Sequence, residues 1–267
     1  MIGAAREANA IATIAFRDIL RFLRDPARLI GTLVLPVIFI GILGGSFQAN
    51  AGKQLGYDYL LFTFTGIFAQ TLFQSTASGL ISLIEDREND FSQEIFISPI
   101  SRYSIIFGKI LGESLVALTQ AVGVIGFGII VHVPFTPERL LGLIVVGIIA
   151  CLLGGAFGLL LISSFGSQRA ANQILPFLIF PQFFLGGVFS PIQKLPIYLD
   201  ILSRISPLRY AVDLTRDIFY IGHPDYDKVV LHGPGAGPLF NLIIIGAMFT
   251  TFLVIGTTLF VRSEKNR

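Results

Sequence analysis

Residues 140–165 read LLGLIVVGIIACLLGGAFGLLLISSF, from Leu140 to Phe165, without one charged side chain. A membrane-crossing helix needs about 20 mostly apolar residues, and this run is longer than that. Inside it, Gly154-x-x-x-Gly158 is a pattern that lets helices approach closely. Five more apolar stretches resemble it, at 29–47, 59–84, 105–131, 170–189 and 239–261. Pro36 lies in the first, and Pro176 and Pro181 lie in the fifth; each removes an amide donor and favours a kink. The expected fold is an all-α membrane protein, one transmembrane domain over 1–267 with six transmembrane helices. Five spans with a re-entrant hairpin is the alternative, because residues 163–172 form only a short, weakly polar link.

Composition agrees. The 267 residues are 53% hydrophobic and 13% charged, with a mean hydropathy of +0.76. An ordinary soluble domain carries about 25% charged residues, so a soluble globular enzyme is excluded, and so is a disordered chain. A net charge of +2 gives no reason to expect nucleic acid as a partner. The lone cysteine, Cys151, excludes an internal disulfide and a cysteine-based metal site. His132, His223 and His232 have no ligand spacing, so no metal is expected. No Ser/His/Asp or paired-carboxylate arrangement suggests chemistry of the chain's own.

Lys and Arg set the orientation. Arg6, Arg17, Arg21, Arg24 and Arg28 precede the first span; Arg87, Arg102, Lys109, Arg169, Arg262, Lys265 and Arg267 fall on the same side. Short links opposite carry only Lys53 and Arg139. Both termini are therefore expected in the cytoplasm, with the extracytoplasmic segment at 190–238. Residues 1–28 carry Ile11, Ile14, Ala15, Ile19, Phe22 and Leu23 at helical spacing, with the arginines on another face. That predicts an interfacial helix, apolar face in the acyl boundary. Asp25-Pro26 reads as an N-cap followed by proline at the first helical position.

Residues 85–102 are the most charged part of the chain: Glu85-Asp86-Arg87-Glu88 at the exit of the second span, then Phe91, Glu94, Ile95 and Phe96, and a break at Ser98-Pro99. The pattern fits a short amphipathic helix that docks a soluble partner, or a solvated turn whose acids flank lipid. Within the second span, Gln70, Gln74 and Ser78 recur every four residues, with Thr63, Thr71 and Ser75 beside them. These groups either line a route through the membrane or bind neighbouring helices. Lys109 and Glu113 lie one turn apart at the cytoplasmic end of the third span, placed to pair as an anchor. Acids deeper in the bundle, which proton coupling would need, are absent from the sequence pattern.

Two motifs in register with this topology resemble the ABC-2 permease family, the membrane subunits of type-2 ABC exporters. The first is Glu85-Asp86-Arg87-Glu88, Ser98-Pro99-Ile100-Ser101-Arg102 and Gly108-Lys109. The second is Gly186-Gly187-Val188-Phe189-Ser190-Pro191, Leu195-Pro196, and Pro207-Leu208-Arg209-Tyr210-Ala211-Val212-Asp213-Leu214-Thr215-Arg216. The resemblance implies a permease that pairs with itself or a similar subunit and docks on two separate ATP-binding subunits. It implies that Glu85, Asp86, Arg87, Glu88, Phe91, Glu94, Ile95 and Pro99 form the ATPase-coupling segment. It also implies re-entrant helices before the last span, with Phe189, Pro191, Pro196, Pro207 and Tyr210 at an outside gate. The chain has no G-x-x-x-x-G-K-[ST] phosphate loop, so ATP and Mg2+ are expected in the partner, and no cofactor here. The location implied is the plasma (inner) membrane. The substrate would be an amphipathic drug-like or lipid-like molecule, leaving the pathway to Gln70, Thr71, Gln74 and Ser78. Polysaccharide or lipid-linked glycan export is the alternative within the family. An ion-gradient-driven secondary transporter, which predicts intramembrane acids and an internal repeat, is the alternative outside it, with a non-transporting scaffold as a third reading.

Overall fold

The computed structural model describes residues 2–88, 101–232 and 235–265. Among these, every regular element is helical. Helix α1 is Ile2–Leu23. The first span starts as α2 (Pro26–Val37), widens into a π-helical stretch (Ile38–Gly44) just after Pro36, and ends as α3 (Gly45–Leu55). Then come α4 (Tyr59–Gly79), α5 (Ser82–Glu88), α6 (Arg102–Ile130), α7 (Pro137–Ile162) and α8 (Gln168–Leu185). The chain closes with α9 (Ile197–Ile205), α10 (Pro207–Phe219), a single turn α11 (Tyr226–Val229) and α12 (Pro238–Lys265).

Polar caps start these helices. Asp25 accepts from the Arg28 amide at 2.9 Å with Pro26 in the first turn, as the sequence predicts. Asp58, Ser101, Thr136 and Ser167 cap α4, α6, α7 and α8 in the same way. Each cap satisfies an amide that lipid could not.

Helix α4 is the centre of the bundle. Nearly every residue from Tyr59 to Phe73 is buried, while α2 and α12 keep most of their surface on the outside. Gly154 and Gly158 of α7 press on the α4 backbone at Phe73 and Ala77, so closely that a Cβ on either glycine would overlap carbonyl oxygen. Gly108 and Gly112 likewise bring α6 close to α1, where a Cβ would stand only 3.1–3.2 Å from the Ala15 and Ile11 backbone. Helix α1 is thus packed on the third span along its length, with Phe22 wholly buried. Its sequence predicts an apolar face in lipid; that face is instead divided between α6 and the outside, where Phe16 and Leu23 remain exposed.

Among the described residues, five helices are long and apolar enough to cross a membrane: Pro26–Gly52, Tyr59–Asp86, Arg102–Ile130, Pro137–Ile162 and Pro238–Arg262. Helix α8, expected as a further span, is not among them. Gln168, Arg169, Asn172, Gln173 and Gln182 dilute its apolar content. It runs on through Pro176 and Pro181 as one helix.

The two short helices expected after the fifth stretch are present as α9 and α10. They differ sharply in burial. Helix α9 leaves Ile197, Tyr198, Ile201, Leu202 and Ile205 exposed, whereas α10 is buried on all sides between α4, α7 and α12, charges included.

Candidate functional site

An amphipathic cavity of about 490 Å3 lies where α2, α4 and α8 meet. One wall is the polar stripe of α4: Gln70, Thr71, Gln74, Ser75 and Ser78, joined by Gln120 from α6. The other wall is mostly apolar: Leu35, Pro36 and Phe39 from the first span, with Pro176, Ile179, Phe180 and Phe183 from α8, and with Arg28 and Thr32 at one end. All four pathway residues named from the sequence therefore share one space. Gln70 donates its side-chain amide to Gln74, and the buried Thr71 hydroxyl has no hydrogen-bond partner. Four-residue spacing puts this stripe on one face of α4, and the cavity leaves that face unfilled. Gln120 lies two turns beyond Glu113 on the same face of α6, a spacing that could have marked it in the sequence.

The end of the cavity towards Phe189 is aromatic. Phe189 packs on Phe39 at 5.1 Å and near Phe183 at 6.4 Å between ring centroids. The Tyr59 hydroxyl donates to the Phe189 carbonyl at 2.8 Å and so fixes that turn. The other residues of the expected gate frame the outer layer instead of lining the cavity. Pro196 precedes α9, Pro207 opens α10, Tyr210 donates to the Arg204 carbonyl at 2.8 Å, and Pro191 lies in the turn after Phe189.

Charge is concentrated at the two ends. At the end that carries α1, Lys109 is 2% exposed and bonds Asp18 of α1 at 3.0 Å, with Asp86 at 3.6 Å. Arg17 reaches Asp86 at 2.9 Å and Arg21 reaches Glu85 at 3.2 Å. Lys109 therefore ties the third span to α1 and to the start of the 85–102 segment; Glu113 is not its ion-pair partner. Glu85 and Asp86 are held by α1, so the arginines do not all reach headgroups. Asp18 was legible in one respect: with Ala15 and Phe22 three and four residues away, it is an acid on the buried face of α1. Of the remaining coupling residues, Arg87 and Glu88 end α5, and Phe91, Glu94, Ile95 and Pro99 lie outside the described residues.

At the opposite end, Arg216 is fully buried. It donates to the Gly187 carbonyl at 2.8 Å and lies 3.7 Å from the Phe62 ring centroid. Burial lowers its pKa to about 10, so it stays charged at neutral pH. Asp213, one turn before it, and Asp217, the next residue, share the side-chain amide of Asn241, at 2.8 and 3.1 Å. Tyr226 donates to Asp217 at 3.1 Å. Burial, then the neighbouring Asp213, pushes Asp217 up to about 7. The arrangement locks α10 to α4 and α12 through a single polar layer.

Among known proteins, residues 9–220 match the family described as ABC-2 type transporter. The chain belongs to that family. A transport permease, ycf38, of Cyanophora paradoxa is 25% identical over 73% of this chain and 69% of its own. A protein of Escherichia coli named "Probable multidrug ABC transporter permease YbhR" is 30% identical over 52% of this chain but only 38% of its own. Nodulation protein J of Rhizobium leguminosarum bv. trifolii is 28% identical over 85% and 86%. This is a multi-pass membrane permease of a family whose members are transport subunits and not ATPases themselves, and membership implies an ABC ATP-binding partner.

Proposed function

We propose that this permease is the transmembrane half of an ATP-driven exporter in the plasma (inner) membrane, with both termini in the cytoplasm. Two copies pair, each docks on an ATP-binding subunit through residues 85–102, and an amphipathic substrate moves along the polar face of α4. The observation that carries the reading is the cavity: polar on α4, aromatic on the first span and α8, and lined by no carboxylate. Such a surface accommodates molecules with an apolar body and a few hydrogen-bonding groups. A volume of about 490 Å3 matches a drug-sized ligand or part of a lipid.

Helix α8 acts as the sixth crossing in this reading. Its 18 residues measure about 27 Å at the helical rise, close to the hydrocarbon thickness. Its polar residues are tolerable because several of them face protein or cavity. Helices α9 and α10 dip into the outer leaflet, with the exposed side of α9 towards lipid. On the cytoplasmic side, movement of the ATPase reaches the third span through Glu85 and Asp86, the arginines of α1, Asp18 and Lys109.

Docking is tested with Phe91→Ala combined with Ile95→Ala. Losing hot-spot anchors costs about 2 kcal/mol or more, a loss of more than about tenfold in affinity. The double variant reaches the membrane normally and retains less of the ATP-binding subunit on co-purification. Unchanged co-purification and unchanged substrate-stimulated ATP hydrolysis reduce the segment to a solvated turn.

A further inference from the structure

Glu113 stands apart in the cytoplasmic cluster. It is buried, 4% exposed, in the third span. Its neighbours of opposite sign are engaged elsewhere: Lys109 with Asp18 and Asp86, and Arg21 with Glu85. The Ser82 hydroxyl donates to Oε1 at a long 3.4 Å, and Oε2 has no hydrogen-bond partner. The carboxylate lies over Gly79, where any side chain would collide with it. It lines a cavity of about 180 Å3 that shares Arg28, Ser78 and Gly79 with the larger cavity, so the two spaces adjoin. A buried carboxylate held by one long hydrogen bond is costly to maintain, and an ionisable residue inside a membrane span points first to function.

We propose that Glu113 reads charge in the substrate, binding the ammonium head of a cationic amphiphile whose apolar body occupies the larger cavity. The proposal rests on the reading of that cavity as the transport pathway. An ammonium has three donors and no acceptor. The Glu113 carboxylate meets one donor by turning from Gly79 into the cavity, which Ser78 and Asn172 also line. Lys109 and Arg21 line the same cavity but are paired with Asp18, Asp86 and Glu85; the third cation there, Arg28, opposes a ligand cation. It is exposed, however, and held over the Phe22 ring at 5.5 Å. Water screens an exposed charge far more than a buried one, and Asp18, Asp86 and Glu85 offset Lys109 and Arg21, so Glu113 is the unmatched charge at the head.

The test is binding of dansylcadaverine, a fluorescent primary amine, and of its uncharged N-acetyl form. The full chain is held in nanodiscs of zwitterionic lipid, with empty discs subtracted. One charge-assisted contact predicts an affinity about tenfold or more higher for the amine. E113Q should abolish that preference while leaving N-acetyl binding as it was, and E113D should keep part of it. Equal binding of the two ligands to the parent chain overturns the proposal, as does a preference that survives in E113Q. Gln74→Trp fills the larger cavity and should weaken both ligands. If it does so while E113Q keeps the preference, the pathway stands and the role of Glu113 falls. If Gln74→Trp affects neither ligand, the pathway reading fails and the proposal with it.

Discussion

Lys109 and Asp18 form a buried pair between two helices, and the energetics of such pairs are asymmetric. Removing one partner leaves the other charge uncompensated away from water, a loss of about 3–5 kcal/mol, whereas replacing both by well-packed apolar groups is often neutral. Lys109→Ala should therefore lower the unfolding temperature of the detergent-solubilised chain sharply. Lys109→Met combined with Asp18→Leu should restore most of the loss. A double variant as unstable as the single one would mean that Asp86 and Arg17, and not this pair, hold α1 in place. Arg216 gives the complementary case. Its guanidinium serves a carbonyl and an aromatic face together, geometry that a lysine ammonium cannot reproduce. Both Arg216→Lys and Arg216→Ala should destabilise the outer layer, with thermal unfolding as the readout. Full stability in the lysine variant would reduce Arg216 to a simple point charge.

Helix α10 carries a pH dependence. Asp217 is pushed up to about 7 by burial and by Asp213, above the ordinary carboxylate value of about 3.9. The folded chain then binds more protons than the unfolded chain between these values, so stability falls as pH rises through that window. Unfolding temperature should drop between about pH 4 and pH 7. Asp217→Asn should flatten this slope and raise stability at the alkaline end; an unchanged slope would assign the titration elsewhere. None of this was readable from the sequence, where Asp213 and Arg216 appear as motif positions in an amphipathic helix. Burial of α10 on every side depends on α4, α7 and α12 surrounding it, a tertiary fact without local periodicity. By contrast, the spans, the Asp25-Pro26 cap and the polar stripe of α4 were legible because each rests on spacing within one helix. Gly154-x-x-x-Gly158 was legible as a packing surface, but its partner, the α4 backbone at Phe73 and Ala77, was not. The pairing of Lys109 with Asp18 was hidden for the same reason, since the two residues meet only when α1 docks on α6. Helix α8 was overstated as an apolar span because the count of apolar residues passed over its amides.

At the scale of the whole molecule, topology and energy source are the open properties. Single cysteines placed at Ser92 and Asp225, in a Cys151→Ala background, should be labelled from opposite sides of the membrane. Labelling from one side would remove the even number of crossings and the outside position of α9 and α10. The energy source has a more direct test. Inverted membrane vesicles containing this chain and its ATP-binding partner should accumulate an amphipathic amine such as dansylcadaverine only when ATP is supplied. The accumulation should persist when the proton gradient is collapsed, and should vanish in Gln74→Trp while the complex still co-purifies. Accumulation driven by an ion gradient without ATP, or undiminished in the filled cavity, would contradict an ATP-driven pathway along α4.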